Sequence, residues 1–331
     1  MVHTDIDQII HFLQEEGLID SHLPVELQDL EGGVSSDIKL ISNGPHQYVL
    51  KEAREQLKVK DLWEADVSRN FAEQAFIEYV GTFRSDAVPR IIYRNQASPY
   101  FIMEYLASPL ANWKSKLLDG EWVEEDVFRV IKLLADIHNH SRSNPDVEAL
   151  FDYSDNFFSL RIEPYLVTTG IRNPNLKYLF ENESNRLKYH RETLVHGDFS
   201  PKNILVSPAR VVLLDHEVAN FGDPAFDLAF LMNHLILKDV FMSSSTKAHI
   251  DLITRAWTTY FDLINDVGAS DMAMRTSRLL LMLMLARVDG KSPVEYLNSD
   301  QQGSIREIVY KLLPSANSED FISYVKKIYQ W

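Results

Sequence analysis

Residues 194–227 constrain this chain more than any other stretch, because they can fold in few ways. Leu194 and Val195 lead to His196-Gly197-Asp198, a tight polar loop runs through Ser200-Pro201-Lys202, and Asn203 enters an apolar run. Ser207-Pro208-Ala209 interrupts residues 204–214, and the second half ends at Asp215. Two short β-leaning runs around a turn read as a hairpin, and a hairpin brings its ends together, so Asp198, Asn203 and Asp215 should converge. Phosphoryl transfer needs such a set. One carboxylate orients an attacking hydroxyl and takes its proton, while oxygen ligands hold Mg²⁺ against the phosphates. A hard cation prefers these oxygens to the nearby His196 nitrogen. His196 beside the turn reads as a hydrogen-bonding support. Asp223 before Pro224 fits a helix N-cap with proline at the first helical position.

The 331 residues can bury a sizeable core in one large domain or two lobes. With no cysteine, disulfides, thiolate metal sites and cysteine nucleophiles are excluded. A net charge of -15 argues against broad binding to nucleic acid or an anionic membrane, yet leaves room for a polyphosphate held by a few clustered cations. The start, Met1-Val2-His3-Thr4-Asp5, lacks the basic region of a signal peptide. The apolar run at 279–286 falls far short of the roughly 20 residues of a membrane span. A soluble, cytoplasmic protein is expected.

Along the chain, residues 4–17 carry helical apolar spacing, and residues 34–41 and 47–50 read as strands around Ser42-Asn43-Gly44-Pro45. A helix is expected at 66–82 and strands at 89–93 and 100–105. Thereafter helical periodicity dominates, at 123–139, 176–190, 224–238, 246–265, 271–287 and 302–313. The expectation is an α+β chain of two lobes, a small strand-rich one over 1–105 and a larger helical one over 106–331.

At residues 194–238 the sequence resembles the aminoglycoside phosphotransferase and choline kinase family. His196-Gly197-Asp198 with Asn203 is similar to its catalytic loop, and Gly222-Asp223-Pro224-Ala225-Phe226-Asp227 is typical of its sequel. The resemblance extends from about residue 29 to 297 and implies a protein-kinase-like bilobal fold. It also implies an ATP- and Mg²⁺-dependent small-molecule kinase acting on a hydroxyl. Carried onto matching positions, it makes Asp198 the catalytic base, Asn203 and Asp215 metal ligands, and Asp227 a brace for the loop. Asp215-His216-Glu217 is similar to the Asp-x-Glu of methylthioribose kinases, which adds Glu217 as a further metal contact and marks that branch as the nearest.

For the nucleotide, Lys51 at a strand end can reach the α- and β-phosphates, fixed by a helical carboxylate. Glu73 is the first choice, with Glu78 and Glu64 as rivals. Gly33, Ser35 and Ser36 form a small-residue turn able to aim amides and hydroxyls at anionic oxygens. The stretch from Glu104 to Leu106 looks like the hinge whose backbone meets adenine. For the substrate, two regions stand out. The basic run of Arg54, Lys58 and Lys60 with Trp63 is similar to one in methylthioribose-kinase-like members, but reads first as a solvated face. Arg287 and Asp289, at the end of an apolar helix, read either as helix-end charges or as substrate contacts, as a late arginine region does in methylthioribose kinases.

Alternatives stand beside this reading. One is a nucleotide-binding regulator that has lost catalysis, another an aminoglycoside-modifying kinase with an acidic pocket. A protein kinase is disfavoured, since Asp-Phe-Gly and Ala-Pro-Glu are missing and Gly222-Asp223-Pro224 follows Asp215 too closely for a long activation loop.

Overall fold

The turn at Gly44-Pro45 sets the register of the first sheet. Gly44 has φ +58, the first-position glycine of a primed hairpin turn, and a Cβ there would lie 2.7 Å from Leu23 Cδ1. The turn joins β2 (Ser36–Asn43) to β3 (His46–Ala53), paired antiparallel from Asn43↔His46 to Ser36↔Ala53. With β1 (Glu26–Asp29), β4 (Ile91–Arg94) and β5 (Tyr100–Glu104) they form a five-stranded antiparallel sheet in the order β1-β2-β3-β5-β4. The computed structural model describes residues 6–30, 36–54, 66–67, 69–94, 100–242, 247–264, 268–316 and 321–330. These fall into two units, Met1–Leu110 and Ala111–Trp331.

In the first unit, β3 alternates as a two-sided strand must. Leu50 joins Ile9 and Leu13 of helix α1 (Ile6–Glu15) in one apolar cluster with Ile41, Tyr100 and Ile102. Tyr48 on the same face donates its hydroxyl to Leu18 O. Lys51 faces the other way, toward α2 (Arg69–Gly81). Asn43 ties down the chain after α1, accepting from Asp20 N at 2.7 Å and donating to the carbonyls of Asp20 and Leu23.

The second unit is mainly helical. It begins with the short strand β6 (Ala111–Asn112), then α3 (Trp113–Leu118), capped by the Asn112 side chain, and α4 (Glu124–Ser141). Next come α5 (Pro145–Leu150) and a continuous run made of α6 (Ser154–Phe157), a π-helical stretch over Phe158–Val167 and α7 (Thr168–Arg172). Periodicity does not reveal that run. Pro164 inside it has no N–H to give and would clash with the carbonyl one turn back, and the wider π turn accommodates it. Helix α8 (Lys177–Tyr189) leads to β7 (Thr193–Val195), which pairs with β10 (Asn220–Gly222). Between them, β8 (Ile204–Val206) and β9 (Val211–Leu213) form the hairpin expected from the sequence, with Ile204 opposite Leu213. Helices α9 (Pro224–Met242), α10 (Lys247–Leu263), α11 (Ala269–Asp289), α12 (Ser299–Leu312) and α13 (Phe321–Ile328) complete the unit. Residues 279–286 of α11 are all buried, as a helix apolar on every side must be. Among the described residues no helix is long and apolar enough to cross a membrane.

Candidate active site

The loop after β7 can be built only with glycine at its centre. Gly197 has φ +75, and a Cβ would meet Val218 O at 2.7 Å. One turn into α9, the fully buried Asp227 carboxylate reaches back to the loop. Its Oδ2 accepts from His196 N at 2.6 Å and its Oδ1 from Gly197 N at 2.9 Å. A second support stands behind it, because His138 Nε2 of α4 lies 3.6 Å from Asp227 Oδ2. Its Nδ1 is 2.6 Å from the Tyr260 hydroxyl. Burial pushes the Tyr260 phenol pKa well up, so that hydroxyl keeps its proton.

His196 is fixed just as tightly. Its Nδ1 accepts from Asp198 N at 3.1 Å, so its Nε2 is the nitrogen that donates to Leu214 O at 3.1 Å. Burial holds its pKa below the usual range despite the surrounding carboxylates. A neutral imidazole with both nitrogens engaged is a strut between Asp198 and the end of β9.

Asp198 is 5% exposed and meets two cations, Arg161 Nη2 and Lys202 Nζ, each 3.0 Å from its Oδ2. Burial acts to raise its pKa, but the Lys202 ammonium and the Arg161 guanidinium outweigh it and hold the carboxyl below its ordinary range. Asp198 is therefore ionised at neutral pH. Arg161 also donates to Gly197 O, so the π-helical stretch holds the loop as well as its carboxylate. Lys202 stands between Asp198 and Asn203, where the sequence motif assigns it no role. Arg161 lies outside any motif, and only its placement in a Pro-containing apolar run hinted at burial.

Asn203 Nδ2 donates to Asp198 O at 3.0 Å, and Leu214 N donates to Asn203 O at 2.8 Å, so hydrogen bonds tie Asp198 and Asn203 to the residue before Asp215, whose charge acts on the Asp198 carboxyl. The amide bond turns Asn203 Oδ1, the end a hard cation would take, away from that carbonyl. Asp215 adopts φ +63, a left-handed conformation that Asp tolerates better than most residues. Glu217 is buried at 6% exposure, and it and Asp215 both pull the Arg161 pKa upward. An oxygen-only donor set of Asn203, Asp215 and Glu217 fits the chemistry of Mg²⁺. Among the described residues a different group, His190, Glu192 and Asp223, brings its ligand atoms within 4.8 Å of one another. Arg186 and Arg275 engage Asp223 there, which makes it an ion-pair network at the start of α9. Asp223 Oδ1 also accepts from Ala225 N at 3.0 Å, as a cap does.

In the first unit, Lys51 Nζ lies 2.8 Å from Glu73 Oε1, with both side chains buried. Glu78 instead pairs with Arg94 at 2.8 Å, and Glu64 lies outside the described residues. So do Gly33, Ser35, Lys58, Lys60 and Trp63. Ser36 is the buried first residue of β2, and Arg54 pairs with Asp37. Glu104 closes β5, its N–H donating to Arg90 O at 2.9 Å and its carboxylate accepting from Arg90 N at 3.1 Å. Leu106 follows it, half-buried.

Arg287 and Asp289 part company, since two residues along a helix is more than half a turn. Asp289 Oδ1 accepts from Arg306 of α12 at 2.9 Å. Arg287 points toward the π-helical stretch, donating to the Tyr165 hydroxyl at 3.1 Å and to Ser292 O at 2.6 Å.

A model of the phosphotransferase enzyme family matches residues 26–247. Methylthioribose kinase of Bacillus cereus strain G9842 is 19% identical over 271 residues, covering 69% of this chain and 64% of that protein. The chain thus spans under two thirds of the length of that curated relative. The streptomycin–ATP–APH(2'')-IIa complex superposes with a TM-score of 0.52 at 16% identity, over 96% of this chain and 99% of that one. Choline kinase from Cryptosporidium parvum Iowa II gives 0.54 at 12% identity, over 98% and 94%. Identities this low speak to the fold, which is the kinase-like one.

Proposed function

The chain belongs to the phosphotransferase enzyme family, and from that we propose that it transfers the γ-phosphate of ATP to a hydroxyl of a small molecule, a sugar, polyol or hydroxylated metabolite. The observation that carries the proposal is the state of Asp198, a buried carboxylate kept ionised and immobile by Arg161, Lys202 and the loop braced on Asp227. Its low pKa suits the reaction. In a loose transition state the acceptor oxygen gains little bonding before the leaving group departs, so orienting the hydroxyl matters more than a strong base. Asp198 then takes the proton as the oxygen–phosphorus bond forms.

Asn203 and Asp215 are proposed as the ligands of Mg²⁺, with Glu217 as a further carboxylate beside them. Mg²⁺, when bound, neutralises charge on the transferring phosphates. Lys51, held by Glu73, presents a cation to the α- and β-phosphates, and the backbone from Glu104 to Leu106 takes the adenine. Methylthioribose kinase, choline kinase and APH(2'')-IIa, as named, point to small-molecule acceptors.

The test is Mg²⁺-dependent ADP release across a panel of hydroxylated metabolites. Asp198→Ala should lower turnover of any accepted compound by about 10³-fold or more. Full activity in that variant would end the proposal. ATP binding without ADP release on every acceptor would favour the non-catalytic regulator.

A further inference from the structure

Although the chain carries a net charge of -15, cations gather beside Asp198. The link is Tyr165, one turn beyond Arg161 on the π-helical stretch and only 6% exposed. Its ring is shared by two guanidinium groups, with Arg161 Cζ 5.8 Å and Arg287 Cζ 5.7 Å from the centroid. Arg161 holds Asp198, so Arg287 stands one aromatic ring away from the carboxylate that would activate a hydroxyl. Tyr165 also packs on Phe230, whose ring meets His234 at 5.0 Å, and this extends the same wall along α9. One turn further, Lys238 Nζ lies 3.4 Å from His234 Nδ1 and 5.4 Å from the Tyr296 ring centroid.

Among the described residues no carboxylate forms an ion pair with Arg287. Its side chain donates to the Tyr165 hydroxyl and to the carbonyl and hydroxyl of Ser292, and its buried Nε has no acceptor among the described residues. Glu295 is the carboxylate nearby, and it is committed to Lys114 at 2.6 Å on the exposed side, where water screens it. Lys238 is 2% exposed and His234 6%, so neither charge nor ring is spread into solvent. When protonated, Lys238 can only donate to His234 Nδ1, which leaves the Nε2 proton as a donor. Two buried groups and the half-buried Arg287, set beside aromatic rings, have the donor chemistry that an anion needs.

We propose that Arg287, His234 and Lys238 form a subsite for an anionic group of the acceptor, a carboxylate or a phosphate, whose hydroxyl lies toward Asp198. This rests on the phosphotransfer reading and sharpens it, from any hydroxylated metabolite to a hydroxy acid or a sugar phosphate. It also disfavours polycationic acceptors, which would meet like charge.

The electrostatics agree. Burial, then Arg287 and Lys114, press the Lys238 pKa down to about 7, with Glu295 opposing them. His234 is held well below its usual value by burial and by Lys238, Arg287, Lys202 and Lys114. The groups that act on Lys238 include His234 on its own helix, Arg287 on α11, Lys114 on α3, and Glu295 with Tyr296. An arriving anion would raise the Lys238 pKa, so binding should take up a proton and weaken as the pH rises above about 7.

Binding and turnover are read separately on the full chain. Inorganic phosphate and malonate are titrated calorimetrically onto protein saturated with Mg²⁺ and a non-hydrolysable ATP analogue, so that the nucleotide site is filled. At least one should bind, and which of them binds separates the phosphate class from the carboxylate class. Arg287→Gln and Lys238→Met should each weaken that binding roughly 10- to 100-fold. Arg287→Lys should restore part of it, and the exposed Arg255→Gln should change nothing. In turnover, matched pairs such as glycerate and glycerol, or glucose 6-phosphate and glucose, should favour the acid, with Arg287→Gln raising its KM far more than it lowers kcat. Phosphate and malonate that fail to bind the loaded protein, or bind equally to wild type and Arg287→Gln, would overturn the subsite while leaving the kinase reading intact. Anion binding that Arg287→Gln removes, in a protein whose Asp198→Ala variant keeps full turnover, would instead overturn the kinase reading.

Discussion

Removing the Asp227 carboxylate should loosen the loop at residues 196–203 by an amount the structure allows us to bound. Asp227 accepts backbone N–H bonds from His196 at 2.6 Å and Gly197 at 2.9 Å in a fully buried setting. Each bond to a charged acceptor is worth about 1.5–3 kcal/mol, so Asp227→Ala should cost about 3–6 kcal/mol. Asp227→Asn keeps one acceptor oxygen but turns an N–H₂ toward the other amide, and should lose about half of that. The assay is hydrogen exchange at the His196 and Gly197 amides together with urea denaturation. A loss of about 3 kcal/mol corresponds to exchange faster by about 150-fold, confined to the loop if it opens locally. Turnover should fall about 100-fold, because Asp198 rides on the same loop and misplacement near 1 Å has that effect, while the KM for ATP stays near wild type. Wild-type exchange and an unchanged urea midpoint in Asp227→Ala would refute the claim that this carboxylate holds the loop.

Other substitutions probe separate supports. Gly197→Ala puts a side chain into a left-handed residue with Val218 O 2.7 Å from its Cβ, and denaturation should show a loss of at least about 1–2 kcal/mol. Asp223, which burial would raise but Arg186 and Arg275 hold at about 2, contributes stability that is present above the ordinary carboxylate range and disappears as the pH falls toward 2. That contribution is about 2 kcal/mol, and Asp223→Asn should flatten the acid limb of stability measured from pH 4 to pH 2. Lys51→Met removes the cation beside the buried Glu73 and should destabilise by about 3–5 kcal/mol. Adding Glu73→Leu should recover much of that stability without restoring ATP binding, a non-additivity a denaturation cycle reads directly.

The hairpin of β8 and β9, the turn at Gly44-Pro45 and the long helices were legible because each has a local cause, in turn residues or in apolar period. The π-helical stretch was not legible, since Pro164 breaks the period that reveals a helix. With it went Arg161 and Tyr165, whose roles depend on contacts with Asp198 and Arg287 far away in sequence. Lys238 and His234 hid for another reason. On a helix apolar nearly all round, two polar residues one turn apart look like the edge of a solvated face, and only packing shows them buried. Arg287 and Asp289 were grouped because they are neighbours in sequence, whereas helix geometry sends them to different partners.

The two faces of β3 make its pairing with β2 self-checking. Leu50 belongs to the apolar cluster beneath α1 and Lys51 to Glu73, so a slip of one residue would drive an ammonium into that cluster and leave a carboxylate facing a leucine. The two-residue turn at Gly44-Pro45 then serves as a ruler for a lysine well away from it. An insertion in that turn would leave every strand residue in place in the sequence and still invert which side of the sheet carries the charge.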